Sequence, residues 1–130
     1  MLGEKLQDVF GYSDHGSTFG GNPVCCAGAL SILERLDEDL LAQVREKSQY
    51  IKDELTGAPG VKSVSGMGLM LGIEPERELN DVVNDCMAQG VLVITAKNKV
   101  RLLPALNIPW EDLKQAIGVL KAACAGQKEA

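Results

Sequence analysis

One stretch near the N-terminus carries residue types that can bind an anion. In residues 17–23 (STFGGNP), the hydroxyls of Ser17 and Thr18 precede a pair of glycines and a helix start. Glycine lets the backbone approach a ligand closely, and the free N–H groups and dipole at a helix N-terminus attract negative charge. The stretch therefore predicts a phosphate or carboxylate site or, as the plainer alternative, a glycine-rich turn leading into a capped helix. The chain has no Walker sequence G-x-x-x-x-G-K-[ST].

Cysteine and histidine are sparse in this chain. His15 is the only histidine, and none of the four cysteines belongs to a C-x-x-C pair. The sequence therefore predicts no metal site, because zinc sites need closely spaced Cys and His ligands. Cys25 and Cys26 adjoin each other in an apolar stretch, so we expect them in a core, and such cysteine usage suits the reducing cytoplasm. His15 is open to two interpretations, a turn former or a residue that touches the anion.

Composition limits the classes of partner. The chain has 130 residues, enough for one domain, and a formal net charge of -5. Nucleic acids and anionic membranes both need a basic face, so neither is expected as a partner. The N-terminus shows no basic region followed by an apolar run, and no segment approaches the ~18 apolar residues of a membrane span.

Apolar spacing and turn residues predict the elements that must position these groups. Asn22 is the expected N-cap of a helix with Pro23 at its first position. Apolar residues then recur at helical spacing as far as Leu55, along one expected core face that includes Val24, Leu30, Leu33, Leu36, Leu40, Val44 and Ile51. Residues 37–39 (DED) are expected to cap a second helix, and one bent helix is the alternative.

Beyond this helical region, strands and helices interleave. The predicted strands are 61–65, 69–73, 91–94 and 100–103, and the predicted helices are 79–89 and 110–125. Met67, Met70 and Met87 are expected in the core, and the last five residues (GQKEA) are expected to fray. This order predicts an α+β domain with a small, mostly antiparallel sheet and helices packed on one face. Residues 1–21 would form a lead-in and the anion loop, and residues 22–130 the domain itself.

Three segments resemble motifs of one enzyme family. Residues 15–23 (HGSTFGGNP) resemble H-G-[ST]-T-[FY]-G-G-N-P, residues 64–73 (VSGMGLMLGI) resemble V-x-G-x-G-L-M-x-G, and residues 100–106 (VRLLPAL) resemble L-R-L-L-P-P-L. These motifs occur in the same order in the acetylornithine/ornithine class of pyridoxal-phosphate aminotransferases (class III, fold type I). The chain is therefore similar to the C-terminal small domain of that family, and most similar to its acetylornithine branch.

The resemblance implies roles for particular residues. Thr18 matches a threonine whose hydroxyl and backbone N–H bind the cofactor phosphate in the active site of the neighbouring subunit. Ser17 matches an adjacent position that faces the substrate. Arg101 matches an arginine that helps to hold a substrate carboxylate, a role that suits the two parallel hydrogen bonds of a guanidinium. A solvent-facing arginine on a strand is the alternative for Arg101.

The resemblance also implies parts that this chain does not supply. In the family, the cofactor-bearing lysine and the groups around the cofactor ring lie upstream in a large domain, so no residue here is expected to be catalytic. We expect Met1 to be an artificial or truncated start. The expected parent is a cytoplasmic homodimer that transfers an amino group from N-acetylornithine to 2-oxoglutarate in arginine biosynthesis. Ornithine, succinylornithine and 4-aminobutyrate are alternative donors, and a free-standing binding or structural module is the rival interpretation.

Overall fold

The computed structural model describes residues 4–6 and 8–126. Backbone contacts divide the chain into two compact units, Met1–Leu36 and Asp37–Ala130. The first unit contains a 3-10 helix, Glu4–Leu6, and helix α1, Pro23–Leu33. The second unit contains, in order, α2 (Glu38–Leu55), β1 (Val61–Met67), β2 (Met70–Pro75), α3 (Leu79–Ala88), β3 (Ile94–Ala96), β4 (Lys99–Leu102) and α4 (Trp110–Ala125). No helix in the described part of the chain is long and apolar enough to cross a membrane.

Helix α1 begins as predicted but does not bury an apolar face. Asn22 is its N-cap and Pro23 its first residue. The expectation that Val24, Leu30 and Leu33 lie in a core is wrong, since they are 79%, 61% and 62% exposed. The expectation of a buried pair at positions 25 and 26 is also wrong, because both cysteines are exposed. The reason is that α1 (PVCCAGALSIL) has no charged residue, so apolar side chains occupy every side instead of one stripe.

Helix α2 is a separate helix with one buried face. Asp37 caps it by accepting a hydrogen bond from the backbone N–H of Leu40 at 2.8 Å, which confirms two helices over one bent helix. Val44, Ile51 and Leu55 are buried as expected.

The sheet has the strand order β1-β2-β4-β3, with every neighbouring pair antiparallel. At its centre Ile73 pairs with Val100 and Gly72 with Arg101. Ile73 and Val100 are fully buried in the core that the helices share. Because side chains alternate along a strand, Gly72 and Arg101 lie on the opposite face. The predicted α+β fold, an antiparallel sheet with helices on one face, is confirmed.

Two expectations about buried segments are wrong. Residues 91–93 do not form a strand, since β3 begins only at Ile94, and Leu92 is 82% exposed. The backbone N–H of Val91 instead donates to the carbonyl of Cys86 at 2.9 Å, so this segment closes the end of α3. Met67, Met70 and Met87 are exposed as well, and the first two flank the turn between β1 and β2. Gly126 ends α4 in the left-handed region, and the rest of the predicted frayed tail lies outside the described residues.

Gly60 permits a close approach between the chain entering β1 and the end of α4. A Cβ atom at Gly60 would lie 2.0 Å from the carbonyl oxygen of Cys124. Gly60 also has a φ of +77°, which favours glycine. Gly57 has nearly the same φ, +76°, but its Cβ would meet no atom within 4 Å. Alanine substitutions at the two positions therefore distinguish the cost of backbone strain from the cost of steric overlap.

We expect Gly60→Ala to destabilise the chain far more than Gly57→Ala. Gly57→Ala carries only the left-handed backbone cost of about 1 kcal/mol. Gly60→Ala adds an overlap with backbone atoms that cannot rotate away, which costs at least about 2 kcal/mol more. Urea unfolding followed by circular dichroism measures both free energies. Equal losses at the two positions would show that the approach to α4 is not tight.

Two thiols in the core resist ionisation. Burial, with a smaller contribution from the Asp85 carboxylate, raises the pKa of Cys86 from 9.0 to about 11. Burial, followed by the nearby Cys86, raises the pKa of Cys124 to about 11, although Arg77 opposes the shift. In the unfolded chain both thiols release their protons near pH 9, whereas the folded chain retains them.

We expect the free energy of unfolding to fall as the pH rises from 9 through 11. The folded state binds more protons than the unfolded state in this window, so alkali favours unfolding, and this contribution is fully present below pH 9. Urea midpoints across the window test it against a Cys86→Ala, Cys124→Ala double variant. The double variant should lose stability less steeply, and parallel curves would contradict the shifted pKa values.

Candidate functional site

Residues 17–22 of the first unit, the candidate anion loop, form a pair of turns that leaves two hydroxyls exposed. The backbone N–H of Gly20 donates to the carbonyl of Ser17 at 3.3 Å, and that of Asn22 donates to the carbonyl of Phe19 at 3.2 Å. Gly21 between them has a φ of +77°, which explains the second glycine of the pair. Ser17 and Thr18 are exposed at the start of these turns.

The first turn of α1 does not supply the anion donors that the sequence suggested. The Asn22 side chain already accepts from the N–H groups of Val24 and Cys25, at 3.0 and 3.2 Å. Pro23 has no N–H, and the N–H of Cys26 donates to the Asn22 carbonyl at 2.9 Å. The helix end is therefore satisfied by its own cap, and the donors must come from the loop before it.

The loop offers hydroxyl and amide donors but no cation. The hydroxyls of Ser17 and Thr18, and the backbone N–H groups of Thr18 and Phe19, make no hydrogen bond to another described residue. These hydroxyl and amide groups can donate to some of the oxygens of a phosphate group, and its other oxygens need donors from outside the loop. The ring of His15 lies 5.9 Å from that of Phe10, and both interpretations of His15 stay predictions.

Arg101 in the second unit forms no ion pair with any residue that the structure describes. It lies on β4 between Gly72 of β2 and Ile94 of β3. Its Nε atom is buried and has no hydrogen-bond partner in the described part of the chain. Arg77 differs, since its Nη1 donates to Asp85 at 2.9 Å and also to the carbonyl of Ala123. A buried polar group without a partner is costly, so Arg101 has the features of a ligand-binding residue.

A pocket of about 570 Å³ adjoins Arg101. It lies among the segment that follows α3, the end of β4 and the first half of α4, and its lining includes Val91, Leu92, Leu103, Ile108 and Asp112. Such a volume suits a small molecule, and a mostly apolar wall with few polar groups is typical of ligand sites.

The structure places the predicted residues in two groups. Ser17 and Thr18 are adjacent in the first unit, and Arg101 belongs to the second. Sequence reasoning missed Gly72, which pairs directly with Arg101 and shares its face of the sheet. A Cβ at Gly72 would lie 3.1 Å from Cδ of Lys99, so this position is already crowded. Its signal was the last glycine of V-x-G-x-G-L-M-x-G.

The described residues contain no group of three or more His, Cys, Asp or Glu side chains placed to hold a metal ion. The residues that the sequence analysis singled out offer hydroxyl, amide and guanidinium donors, all of which bind oxyanions.

We expect Arg101→Met to leave stability unchanged or to raise it, whereas Arg77→Met should lower it. Arg101 has an unpaired buried Nε, so an apolar side chain of similar length removes a cost. Arg77 loses a charged hydrogen bond and leaves Asp85 unpaired, for a loss of about 1.5–3 kcal/mol. Urea unfolding of the two variants tests the contrast. A large loss for Arg101→Met would mean that this arginine is structural.

Comparison with known proteins places this chain in a family. The profile of the class-III aminotransferases matches residues 1–124. The acetylornithine aminotransferase of Haemophilus ducreyi is 45% identical over 122 residues, which cover 92% of this chain and 31% of the relative. The acetylornithine aminotransferase of Aquifex aeolicus is 41% identical, over 91% of this chain and 31% of the relative. The chain thus spans about 31% of the length of these relatives.

Solved structures agree with this assignment. The ornithine aminotransferase of Toxoplasma gondii superimposes with a TM-score of 0.76 at 30% identity, over 92% of this chain and 31% of that one. The acetylornithine aminotransferase of Elizabethkingia anophelis superimposes with a TM-score of 0.74 at 27% identity, over 92% of this chain and 34% of that one. Family profile, sequence and fold agree, and the chain belongs to the class-III aminotransferases.

Proposed function

We propose that this chain is the small-domain part of a pyridoxal-phosphate-dependent acetylornithine aminotransferase. The observation that carries the proposal is Arg101, whose buried Nε has no partner and which lines a pocket of ligand size. Transamination exchanges an amino acid for a 2-oxo acid, and both carry a carboxylate. A guanidinium is the group that recognises this shared feature.

Arg101 binds and orients the substrate carboxylate in the proposed enzyme. Its planar fork can donate two parallel hydrogen bonds, which fix the direction of the carboxylate as well as its position. The neighbouring Lys99 is held elsewhere, because its Nζ donates to the Ser65 hydroxyl at 2.7 Å. We assign Arg101 to the carboxylate of 2-oxoglutarate.

Thr18 holds the cofactor phosphate through its hydroxyl and backbone N–H, and Ser17 faces the substrate. Both hydroxyls are exposed at the start of a turn, and neither has a partner among the described residues, so the donors that this assignment requires are available. Pyridoxal phosphate, when bound, supplies the electron sink for negative charge on the substrate carbon. The role of the loop is to position the phosphate end of that group.

The proposed reaction transfers the amino group of N-acetylornithine to 2-oxoglutarate, in cytoplasmic arginine biosynthesis. The names of the sequence relatives support acetylornithine as the donor. Ornithine is the second candidate, because the Toxoplasma gondii structure that superimposes well is an ornithine aminotransferase. Succinylornithine and 4-aminobutyrate remain weaker alternatives.

The rest of the enzyme is proposed to cover helix α1. Val24, Leu30 and Leu33 are more than half exposed, on a helix without charged residues. A helix that is apolar on every side belongs in an interior. We therefore assign its surroundings to the large domain, which supplies the cofactor-bearing lysine, and to the second subunit of a homodimer. A free-standing module, the rival interpretation, would need a polar outer face on α1.

A chimera tests the proposal. The chain replaces the matching C-terminal segment of the Haemophilus ducreyi relative, and turnover is measured with 2-oxoglutarate, added pyridoxal phosphate and each of the four donors. We expect the chimera to prefer N-acetylornithine and the chain alone to show no turnover, because it lacks the lysine-bearing part. Turnover by the chain alone would contradict the need for a large domain. A folded but inactive chimera, or one that prefers ornithine, would contradict the assigned reaction.

Two substitutions in the active chimera separate the assigned roles. Thr18→Ala should weaken cofactor binding by about 1.5–3 kcal/mol, since a hydroxyl bonded to a charged phosphate is lost. Arg101→Lys should lower kcat/KM for 2-oxoglutarate by roughly ten- to a hundredfold, since the fork becomes a single donor. Arg45→Lys is the control, because Arg45 is exposed and makes only a long ion pair with Glu38. Unchanged cofactor affinity in Thr18→Ala would contradict the phosphate-binding role of Thr18. Kinetics in Arg101→Lys that equal those of the control would contradict the carboxylate-binding role of Arg101.

A further inference from the structure

The face of the sheet that is turned away from the helices of the second unit, here called the outer face, carries two cations. Since side chains alternate along a strand, its charged strand residues are Lys99, Arg101 and Glu74. The carboxylate oxygens of Glu74 accept hydrogen bonds from the Ser63 hydroxyl at 3.0 Å and from Nδ2 of Asn98 at 2.9 Å. Neither Lys99 nor Arg101 forms an ion pair with a residue that the structure describes.

The ammonium group of Lys99 is held at a defined position. A Cβ atom at Gly72 would lie 3.1 Å from Cδ of Lys99, so the lysine stem crosses β2 in the space that the missing side chain leaves. Beyond it, Nζ of Lys99 donates to the Ser65 hydroxyl of β1 at 2.7 Å. That hydroxyl donates in turn to the Gly72 carbonyl at 3.4 Å. Because a hydroxyl is neutral and an ammonium group has several N–H donors, the charge of Lys99 and its other donors are available to an anion.

Strand register sets the distance between the two cations. Ser65 pairs with Gly72, and Gly72 pairs with Arg101, so these residues form one row across β1, β2 and β4. Adjacent strands lie about 4.8 Å apart, which separates the Cα atoms at the two ends of the row by about 10 Å. The ammonium group of Lys99 lies at the Ser65 end. At the other end, the buried Nε of Arg101 has no partner among the described residues, which points to a ligand.

We propose that Lys99 is a specificity-determining residue that favours a dicarboxylic 2-oxo acid, with Arg101 binding one carboxylate and Lys99 the other. The inference rests on the proposed function, in which 2-oxoglutarate accepts the amino group. A short dicarboxylate with a hydrogen bond of about 3 Å at each end spans about 10 Å, which matches the length of the row. A monocarboxylic acid leaves the ammonium group without an anion and forgoes one charged hydrogen bond.

Two acids of equal carbon-chain length test this selectivity in the chain itself. Glutarate and pentanoate differ in that a methyl group replaces one carboxylate. Each is titrated at constant ionic strength, maintained with sodium chloride, and binding is followed by the NMR chemical shifts of the backbone amides in β1, β2 and β4. We expect glutarate to bind about tenfold more tightly than pentanoate, the effect of one charged hydrogen bond. Equal affinities for the two acids would overturn the proposal.

A substitution assigns this preference to one ammonium group. Lys99→Met keeps most of the stem over Gly72 and removes the charge, so glutarate should then bind no more tightly than pentanoate. Lys114→Met is the matched control, because Lys114 is exposed on α4, away from the outer face, and the substitution removes the same charge. It should leave the preference for glutarate unchanged. An undiminished preference in Lys99→Met, or an equal loss in Lys114→Met, would contradict the assignment.

The chimera extends the test to the reaction. With the two half-reactions followed separately, Lys99→Met should lower kcat/KM for 2-oxoglutarate about tenfold more than kcat/KM for N-acetylornithine. Lys99→Arg retains the charge and should restore most of the loss, whereas a general disturbance of the fold would lower both values alike. Equal losses in the two half-reactions would overturn the role of Lys99. An inactive chimera would contradict the proposed function, and the glutarate titration would still decide whether Lys99 selects dicarboxylates.

Discussion

The pairing of β2 with β4 is the constraint on which the second unit depends. Antiparallel registration sets Ile73 against Val100 and Leu71 against Leu102, and the first three of these side chains are fully buried. A shift of one residue would turn these side chains away from the helices and expose the core. The same register sets Gly72 beside Arg101 on the other face. The position of the candidate carboxylate-binding residue thus follows from the burial of its neighbours.

The unit distributes its charges in two ways. Arg77 joins α3 to α4 through Asp85 and the Ala123 carbonyl, and Lys121 pairs with Glu54. Arg101 is instead half-buried, and its buried Nε atom has no hydrogen-bond partner in the described residues. A buried polar group without a partner opposes stability, and the carboxylate ligand proposed for Arg101 would offset this cost. This distinction connects the energetics of the fold with the carboxylate chemistry proposed for Arg101.

The first unit exposes a large apolar surface. Helix α1 is capped by Asn22 and Pro23, so its local structure is fully specified. Its side chains nevertheless find no core, and Phe19 in the preceding loop is 79% exposed. Large exposed apolar surfaces mark interaction sites. This is the surface that the proposed function assigns to contact with the large domain and the second subunit.

Local chemistry in the sequence determined many elements of this protein. Asn22-Pro23 predicted the start of α1, Asp37 the start of α2, and the apolar spacing as far as Leu55 the buried face of α2. These predictions hold because capping and helical periodicity involve residues only a few positions apart. The motif around Arg101 likewise located a strand arginine, and its family resemblance agrees with the comparisons.

Tertiary structure alone decided which apolar segments are buried and which donors are free. Residues 91–94 have strand composition, yet Val91 closes α3, Leu92 is exposed, and pairing with β4 begins only at Ile94. The N–H groups at the start of α1, which the sequence suggested as anion donors, instead donate to the side chain of Asn22. Gly72 became informative only when the register set it opposite Arg101. Composition states what a residue can do, whereas burial, register and unpaired donors depend on contacts between distant parts of the chain.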